Sequence, residues 1–387
     1  MHNKKARIIA FYLPQYHPIK ENDKFWGKGF TEWTNVGKSV PLFKGHYQPR
    51  VPADLGYYDL RMPEVREEQA QLAKEAGIEG FCYWHYWFGK GKELLERPFN
   101  EVVDSGKPDF PFCLGWANHT WSTRTWTSSK SQYKETLIAE QTYPGDEDYI
   151  LHFQKYLKAF KDPRYIKVDG KLLFVIFAPL MIPNFKHFKT LWNELAQKEG
   201  LKGFHFVGLT ENFKLQMNNG KINNIFKSEG VARQLYDTIL EEGFDAVNSR
   251  GGNRAQVYAS SALSYYLKRF IMKKLHIDIV LHIDYSKIIK NYYVKEDADE
   301  NIYPTIIPNF DRSPRAGKKT NNIWHNSTPE KFGEMVKEAL TIIKNKQPEH
   351  RILFLQSWNE WGEGNYMEPD LRFGKGYIKT LRKILDE

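Results

Sequence analysis

The stretch RILFLQSWNEWGEG, from Arg351 to Gly364, is an apolar run that ends in polar and aromatic residues. Short apolar runs rich in β-branched and aromatic residues are typical of strands that are buried on both faces. Runs of this kind recur along the chain, most of them with a polar end of their own. The eight runs are Arg7–Leu13, Ile78–Trp87, Phe110–Ala117, Lys171–Phe177, Phe204–Leu209, Phe244–Asn248, Tyr303–Phe310 and Arg351–Trp358.

Segments with helical periodicity separate these runs. They are Pro63–Ala76, Asp146–Phe160, Phe185–Lys198, Val231–Glu242, Pro329–Lys344 and a last helix from Lys375. A strand followed by a helix, repeated about eight times, predicts the α/β class and a (β/α)8 TIM-type barrel with long insertions in its βα-loops. An open doubly wound sheet is the alternative. The sequence lacks the GxGxxG and GxxxxGK[ST] phosphate-binding motifs of that fold, and no cofactor is predicted.

The length of 387 residues suits a single catalytic barrel domain over 1–387, with insertions at about 14–62 and 250–301. Long loops in compact domains are usually functional or disordered. The aromatic content of these insertions argues against disorder, so we expect them to be functional.

Composition narrows the location and the partners. No apolar run is long enough to span a membrane, no signal peptide is recognisable, and Cys82 and Cys113 resemble reduced core thiols, so a cytoplasmic location is expected. The net charge of +9 comes without a nucleic-acid motif, which favours an anionic membrane surface or an anionic substrate. The basic, partly apolar segment at about 265–295 predicts peripheral contact with the inner face of a membrane. Packing of its apolar side on the barrel is the alternative.

Polar and aromatic residues follow nearly every run, and barrel enzymes carry their chemistry at the C-terminal ends of the strands. We therefore expect these residues to bind substrate. They are Tyr12, Gln15, Tyr16, His17, Trp84, His85, Trp116, Asn118, His119, Trp121, Glu211, Asn309, Asp311, Asn359 and Trp361.

The aromatic content of 15% is high, and flat rings with a polar edge suit the C–H faces of sugars. Four tryptophans are predicted to line the cleft, and two tyrosines to lie near its mouth. The tryptophans are Trp84, Trp116, Trp121 and Trp361, and the tyrosines are Tyr12 and Tyr16. The alternative is that these rings belong to an ordinary core.

His17, His85 and His119 lie at three different strand ends and could bind a metal ion. An HExxH-type partner is missing from the sequence, so no metal site is predicted, and hydrogen bonds to hydroxyls or to a phosphate are favoured. A Ser-His-Asp site lacks a GxSxG motif.

Glu360 and Glu363 stand three residues apart after the eighth run. In a helical turn this spacing puts both carboxylates on one face, where one pKa should rise and the other fall. Such a pair can serve as the acid and the base at one glycosidic bond. A solvated helix face is the alternative, but the flanking Trp358, Trp361 and Gly362 are poor choices for an ordinary surface turn.

The order and spacing of several short blocks resemble the WbsX-type family of polysaccharide-biosynthesis proteins over nearly the whole chain. The blocks are FYLPQYHP, WGKGFTEWTNV, GYYDLRMPEV, GFCYWHYWF, WANHTW, NFDRSPR and WNEWGEGNYMEPD. The resemblance implies glycosyl transfer in O-antigen and capsule synthesis, and a fold similar to glycoside hydrolase family 99, the endo-α-mannosidase group.

In that hydrolase group, an E-W-x-E block after the last strand carries the chemistry. The resemblance implies that Glu360 acts as a base on the sugar 2-hydroxyl, giving a 1,2-anhydro intermediate, and that Glu363 acts as acid and then base. Gly362 departs from the pattern, since those hydrolases carry histidine at this position. The departure puts the substrate in doubt and leaves both carboxylates in place.

Three hypotheses follow. The first is a glycosyltransferase that acts on a glycan or a lipid-linked oligosaccharide, with a nucleotide-sugar as its expected donor. The second is a retaining glycoside hydrolase, and the third is a non-catalytic glycan-binding protein. The third has no need of two adjacent carboxylates.

Overall fold

The computed structural model describes residues 5–122, 136–210, 231–260, 280–320 and 323–387, together with Leu267, Phe270, Ile271, Lys274 and Leu275. Eight parallel strands pair in sequence order, and the first strand pairs with both the second and the eighth, so the sheet closes into a barrel. The predicted (β/α)8 barrel is therefore confirmed. The strands are β1 (Arg7–Tyr12), β2 (Gly80–Trp87), β3 (Phe112–Trp116), β4 (Lys171–Ile176), β5 (Phe204–Leu209), β6 (Ala246–Ser249), β7 (Ile302–Ile306) and β8 (Ile352–Leu355).

Helices surround the barrel and fill the long loops. They are α1 (Lys20–Trp26), α2 (Glu32–Gly37), α3 (Pro63–Ala76), α4 (Arg97–Ser105), α5 (Asp146–Phe160), α6 (Phe185–Lys198), α7 (Val231–Glu241), α8 (Gly252–Ala259), α9 (Tyr285–Ile289), α10 (Ser313–Ala316), α11 (Pro329–Ile343) and α12 (Gly376–Asp386). The helices α3, α5 and α6 have the predicted bounds. The sequence did not predict α4, whose nine residues are too few for a clear helical period.

Shorter pieces complete the described chain. The 3-10 turns are Pro179–Met181, Lys295–Ala298, Gly317–Lys319, Pro348–His350 and Trp361–Glu363. The short strands are Glu93–Leu94, Trp121–Ser122, Leu137–Ala139, Lys167–Val168, His282–Asp284, Ile323–His325, Asn359–Glu360 and Asn365–Tyr366. The seventh strand ends at Ile306 rather than at Phe310 as predicted, and Pro308 follows it with no N–H to offer a ladder.

Side chains alternate between the barrel interior and the helices along each strand, and this alternation decides which of them reach the site. On β2, the Trp84 ring stacks on Phe11 of β1 at 4.8 Å, inside the barrel. The next side chain, His85, points the other way, and its Nε2 lies 2.9 Å from Nε2 of His152 on α5. A layer of aromatic rings therefore fills the space between the barrel and α5.

Among the described residues, no helix combines the length and apolar character that crossing a membrane requires.

Candidate active site

The turn that follows β8 forms a small hairpin at the C-terminal end of the barrel. Asn359–Glu360 pairs with Asn365–Tyr366, and a single 3-10 turn, Trp361–Glu363, connects them. Gly364 closes the turn with a φ of 65°, a left-handed conformation that glycine adopts without strain. Because side chains three apart eclipse in a 3-10 turn, Glu360 and Glu363 lie on one side of it, as their spacing predicts.

One guanidinium group joins the two carboxylates. Nη1 of Arg315, on α10, lies 3.1 Å from Oε1 of Glu360 and 2.5 Å from Oε1 of Glu363. The two oxygens are therefore no more than 5.6 Å apart, the sum of the 3.1 and 2.5 Å to the shared nitrogen. Retaining glycosidases hold their carboxyl groups about 5–5.5 Å apart, and inverting enzymes about 6.5–9.5 Å apart.

A third carboxylate lies behind the pair. Glu32, at the start of α2, is fully buried, and its Oε2 lies 3.1 Å from Nε of Arg315. A Cβ atom at position 362 would lie 1.7 Å from the same oxygen. Position 362 is therefore a glycine because the carboxylate of Glu32 occupies the space that a side chain would need.

The charges around Glu363 and Glu32 act in opposite directions. Burial alone would raise the pKa of Glu363, but the charges of Arg315 and Arg312 outweigh it and the pKa is lowered. For Glu32, complete burial outweighs the charge of Arg315, and the pKa is raised. Burial would lower the pKa of Arg315, but the three carboxylates raise it well above its ordinary value, so this guanidinium stays charged.

Asp311 was predicted to bind substrate, and the structure corrects that role. Its carboxylate is buried, accepts hydrogen bonds from Gln48 Nε2 at 2.7 Å and from the Ser313 N–H at 2.9 Å, and lies 2.8 Å from Nε2 of His46. Its own N–H donates to the carbonyl of Glu363 at 2.6 Å. Asp311 therefore fixes the backbone at Glu363 and has no free oxygen for a sugar.

Tyr16, Asn359 and Trp361 also hold the turn instead of contacting a ligand, contrary to prediction. The Tyr16 hydroxyl donates to the Asn359 carbonyl at 2.5 Å and accepts from the Trp361 N–H at 3.0 Å. The Asn359 amide bonds to both backbone groups of Leu13. The Trp361 ring is fully buried, 3.7 Å from the Tyr366 ring, and its N–H donates to Glu368 at 2.6 Å.

Tyr12, His85 and Trp116 face the surrounding helices, which contradicts the prediction that they bind substrate. The Tyr12 hydroxyl donates to Gln69 of α3 at 2.6 Å. Trp116 lies edge-on to His152 at 4.9 Å, and its N–H donates to the carbonyl of Trp87. All three stand on the outward side of the alternation along their strands.

Asn118 has a structural role as well. Its amide nitrogen donates to the Ala178 carbonyl at 2.9 Å, and its oxygen accepts from the Ala178 N–H at 2.8 Å. His17 is buried, with Nδ1 3.0 Å from the carbonyl of Pro14 in its own loop. These contacts stabilise the loops after β1 and β3. For Asn118 they replace the predicted hydrogen bonds to substrate, whereas substrate binding by His17 stays a prediction.

The remaining predicted residues have varied surroundings. Trp84 faces the barrel interior, Gln15 is buried beside α2, and the Trp121 ring packs edge-on to Tyr86 at 4.7 Å. The half-buried ring of His119 lies 5.0 Å from Phe177, and burial lowers the pKa of His119 to about 4.

Asn309 lines a cavity of about 170 Å³ on the far side of Trp324. Glu211 lies outside the described residues. Substrate binding by these residues stays a prediction.

The sequence did not single out four residues that the structure brings to the Glu pair. Arg312 Nε lies 3.0 Å from Oε1 of Glu363, and Arg315 and Glu32 complete the ion-pair cluster. Burial raises the pKa of Tyr86 well above its ordinary range, and the charge of Glu360 adds to the effect. The blocks that carry the family resemblance contain three of them, Arg312 and Arg315 in NFDRSPR and Glu32 in WGKGFTEWTNV, and could have drawn attention to these residues.

A cavity of about 190 Å³ opens beside Glu363. Within the described parts of the chain, three or more His, Cys, Asp or Glu side chains nowhere come together in a group that could hold a metal ion. The site is thus a cluster of three carboxylates and their arginine partners next to an open cavity.

Comparison with known proteins places the chain in a family. Residues 8–381 match the model of the family described as glycosyltransferase WbsX, and the chain belongs to this family. It is 32% identical over 383 residues to the uncharacterized protein WxcX of Xanthomonas campestris pv. campestris, in two strains. That match covers 98% of this chain and 50% of WxcX, so the chain spans about half the length of the curated relatives it matches.

Solved structures share the fold. A glycoside hydrolase-like protein superposes with a TM-score of 0.59 at 14% identity, covering 100% of this chain and 95% of its own. The glycoside hydrolase family 99 endo-α-mannosidase from Bacteroides thetaiotaomicron superposes with a TM-score of 0.52 at 14% identity, covering 98% and 96%. Together with the family, these likenesses support a carbohydrate-active enzyme.

Proposed function

We propose that this chain is a glycosyltransferase of surface-polysaccharide synthesis, O-antigen or capsule, with Glu360 and Glu363 as its catalytic carboxylates. The observation that carries the proposal is the shared arginine: Nη1 of Arg315 contacts both carboxylates at the C-terminal end of the barrel. A solvated pair of glutamates would have no buried guanidinium between them. The family membership of the chain supports the same reaction class.

In this proposal the two carboxylates divide the work. Ionised carboxylates beside the anomeric carbon can stabilise the positive charge that develops there, and one of them can accept the proton of the acceptor hydroxyl. The side chains of Glu360 and Glu363 are only 15% and 14% exposed, so their charges act in a largely dry environment. Arg315 contacts both carboxylates, and its charge lowers the pKa of Glu363.

A retaining glycoside hydrolase is the second candidate, favoured by the short distance between the two carboxylate oxygens. Two features oppose it. A general acid needs a raised pKa, whereas the pKa of Glu363 is lowered by its arginine partners. The hydrolases of family 99 carry histidine at the position of Gly362. In this chain the carboxylate of Glu32 fills the space that such a side chain would need.

A screen of nucleotide-sugars against polysaccharide and lipid-linked oligosaccharide acceptors tests the proposal. We expect transfer by the wild type and by a control in which Glu64 and Glu67 are both changed to Gln. These two residues have the same spacing as the catalytic pair but stand exposed on α3. Sugar release from polysaccharide without any donor would favour the hydrolase. Glycan binding without turnover of any substrate would leave a binding protein.

We also propose peripheral contact with an anionic membrane through the segment at about 265–295, where lipid-linked acceptors reside. Leu267, Phe270 and Leu275 are 55%, 60% and 58% exposed, and Nζ of Lys274 lies 5.8 Å from the centre of the Phe270 ring. The cations Lys268, Arg269 and Lys273 lie outside the described residues. Exposed apolar side chains beside cations suit an anionic surface.

Sedimentation with vesicles of anionic and of neutral lipid tests the contact. Each cation near the surface contributes about 1 kcal/mol, screened by salt, so binding to anionic vesicles should fall steeply as salt rises. Phe270→Ser and Lys274→Glu should each weaken it, whereas Lys155→Glu, on α5, should not. Equal sedimentation with neutral vesicles, or none with anionic vesicles at low salt, contradicts the contact.

A further inference from the structure

The wall of the cavity beside Glu363 contains residues that have no role yet in the proposed glycosyl transfer. Glu363 forms one part of this wall, and Arg312, 3.0 Å from its carboxylate, forms the next. Arg250, Gly252, Asn253 and Gln256 continue it, and Trp324 separates it from the neighbouring cavity. The volume of about 190 Å³ is enough for a group the size of a phosphate with part of a sugar.

Among the described lining residues, positive charge exceeds negative charge. Among the described residues that line the cavity, the ionisable groups that carry a full charge are Arg250, Arg312 and Glu363. The Arg250 guanidinium carbon lies 4.7 Å from the centre of the Phe11 ring, a contact that helps to hold the group in place. The forked donors of a guanidinium group bind a phosphate more strongly than a neutral sugar hydroxyl, because the hydrogen bonds to phosphate are charge-assisted and can be bidentate.

Helix α8 begins in the same wall, with Gly252 and Asn253 in its first turn. The N–H groups of a first turn have no partner within the helix, and the side chain of the N-cap, Gly251, has no atom to cap them. Such N–H groups favour an anion. A Cβ at position 251 would lie 2.0 Å from the Tyr292 carbonyl, which explains the glycine there.

Buried polar atoms in the wall lack partners. Gln256 is 3% exposed and Trp324 is 2% exposed. Within the described part of the chain, neither Oε1 of Gln256 nor the indole N–H of Trp324 has a hydrogen-bond partner. Buried polar groups are normally satisfied, and both side chains line the cavity, so two unsatisfied atoms here support a polar ligand.

We propose that this cavity is the subsite for the phosphate or pyrophosphate group of a glycosyl-phosphate donor, held by Arg250, Arg312 and the first turn of α8. The inference rests on the proposed glycosyl transfer at Glu360 and Glu363. Gln256 and Trp324 then face hydroxyl groups of the donor.

The subsite agrees with the state of Glu363. In the transfer, the bond from the anomeric carbon to the phosphate oxygen breaks and its electron pair leaves with the phosphate. The acceptor oxygen forms the new bond to that carbon, and its proton passes to a carboxylate. A phosphate departs without being protonated, whereas a sugar alkoxide needs a general acid. A Glu363 with two arginine partners and a lowered pKa suits the first case.

Calorimetric titration with inorganic pyrophosphate tests the subsite without requiring turnover. We expect binding by the wild type that is weakened about 10-fold or more in Arg250→Gln and in Arg312→Gln, because a charge-assisted hydrogen bond is lost in each. Arg312→Lys should keep part of the affinity. Arg372→Gln, in the wall of the neighbouring cavity, should bind as the wild type does. Thermal unfolding confirms that each variant is folded.

Three results would overturn the subsite: no pyrophosphate binding by the wild type, unchanged binding in both cavity variants, or an equal loss in Arg372→Gln. Uridine diphosphate and farnesyl pyrophosphate, titrated in parallel, separate a nucleotide from a lipid as the carrier of the phosphate. Glu360→Gln should keep pyrophosphate binding and lose turnover. If it keeps both, the proposed catalytic role of Glu360 fails while the anion subsite stands.

Discussion

The turn after β8 and the ends of β2 and β3 place the same kinds of residue at the same end of the barrel, and they use them differently. In the turn, Glu360 and Glu363 keep part of their surface and share Arg315. At the ends of β2 and β3, His85 and Trp116 are buried against His152 of α5. An end-of-strand position therefore does not by itself bring a residue to the cleft. On β2 and β3, the side of the strand decides which side chains face the helices.

The two regions also solve the problem of burying polar groups in different ways. At the turn, Arg312 and Arg315 contact Glu363 and lower its pKa, so its carboxylate stays charged. The His85 and His152 rings face each other among aromatic side chains, and burial lowers the pKa of His85 to about 3, so both rings stay neutral. Charge is thus retained where chemistry is proposed and removed where helices pack.

Glu360→Gln and Glu363→Gln are expected to produce the largest effect. Each should reduce turnover by at least ~10²-fold, because a positioned acid or base contributes about that much. Unfolding in urea should show that both variants are folded, since neither side chain belongs to the hydrophobic core. Full activity in either variant would contradict the proposed catalytic role of that glutamate.

Gly362→Ala should come next, because its Cβ would lie 1.7 Å from Oε2 of Glu32. Either the turn or the buried carboxylate must move, at a cost of about 1–3 kcal/mol in the free energy of unfolding, and turnover should fall with it. Glu32→Ala makes room, so the double variant should lose less stability than the sum of the two single variants. Additive losses would show that Glu32 does not occupy this space.

The barrel could be predicted from the sequence because each strand or helix has a local residue pattern, an apolar run or a helical periodicity. The helix α5, for example, begins and ends where its periodicity predicts. The direction of the side chains on β2 could not be predicted, because all eight residues of this strand are buried and polar and apolar residues do not alternate along it. His85 and Trp84 look alike in such a strand, although only Trp84 faces the interior.

The Glu pair was visible in the sequence, and its partners were not. Glu360 and Glu363 stand three residues apart, whereas Glu32 and Arg315 stand 283 residues apart and meet only in the folded chain. Gly362 offered an indirect signal, since a glycine between two glutamates suggests that something else fills the space. The identity of that group requires the fold.

A smaller effect separates two neighbouring rings. Trp116→Phe removes the hydrogen bond from the indole N–H to the Trp87 carbonyl and should lower the free energy of unfolding by about 1–3 kcal/mol, with turnover per folded molecule unchanged. Trp84→Phe, inside the barrel, should instead change the KM for the glycan. The same change in KM in both variants would contradict the prediction that Trp84 binds substrate while Trp116 only packs against the helices.

The smallest effect is a difference in how the two regions respond to acid. A histidine whose pKa is lowered to about 3 takes up a proton in the unfolded chain below its ordinary value of 6.5 but not in the folded one, so folding stability falls as pH drops from 6.5 toward 3. Glu363, with its pKa lowered from 4.5, contributes stability that is lost only below 4.5. Between about pH 6 and 5, the free energy of unfolding measured in urea should therefore fall more steeply with decreasing pH for the wild type than for His85→Phe. The difference in slope should reach up to about 1.4 kcal/mol per pH unit. Glu363→Gln should match the wild-type slope there, because its carboxylate is ionised in both states. Equal slopes in the wild type and His85→Phe would contradict the conclusion that burial against α5 keeps His85 neutral.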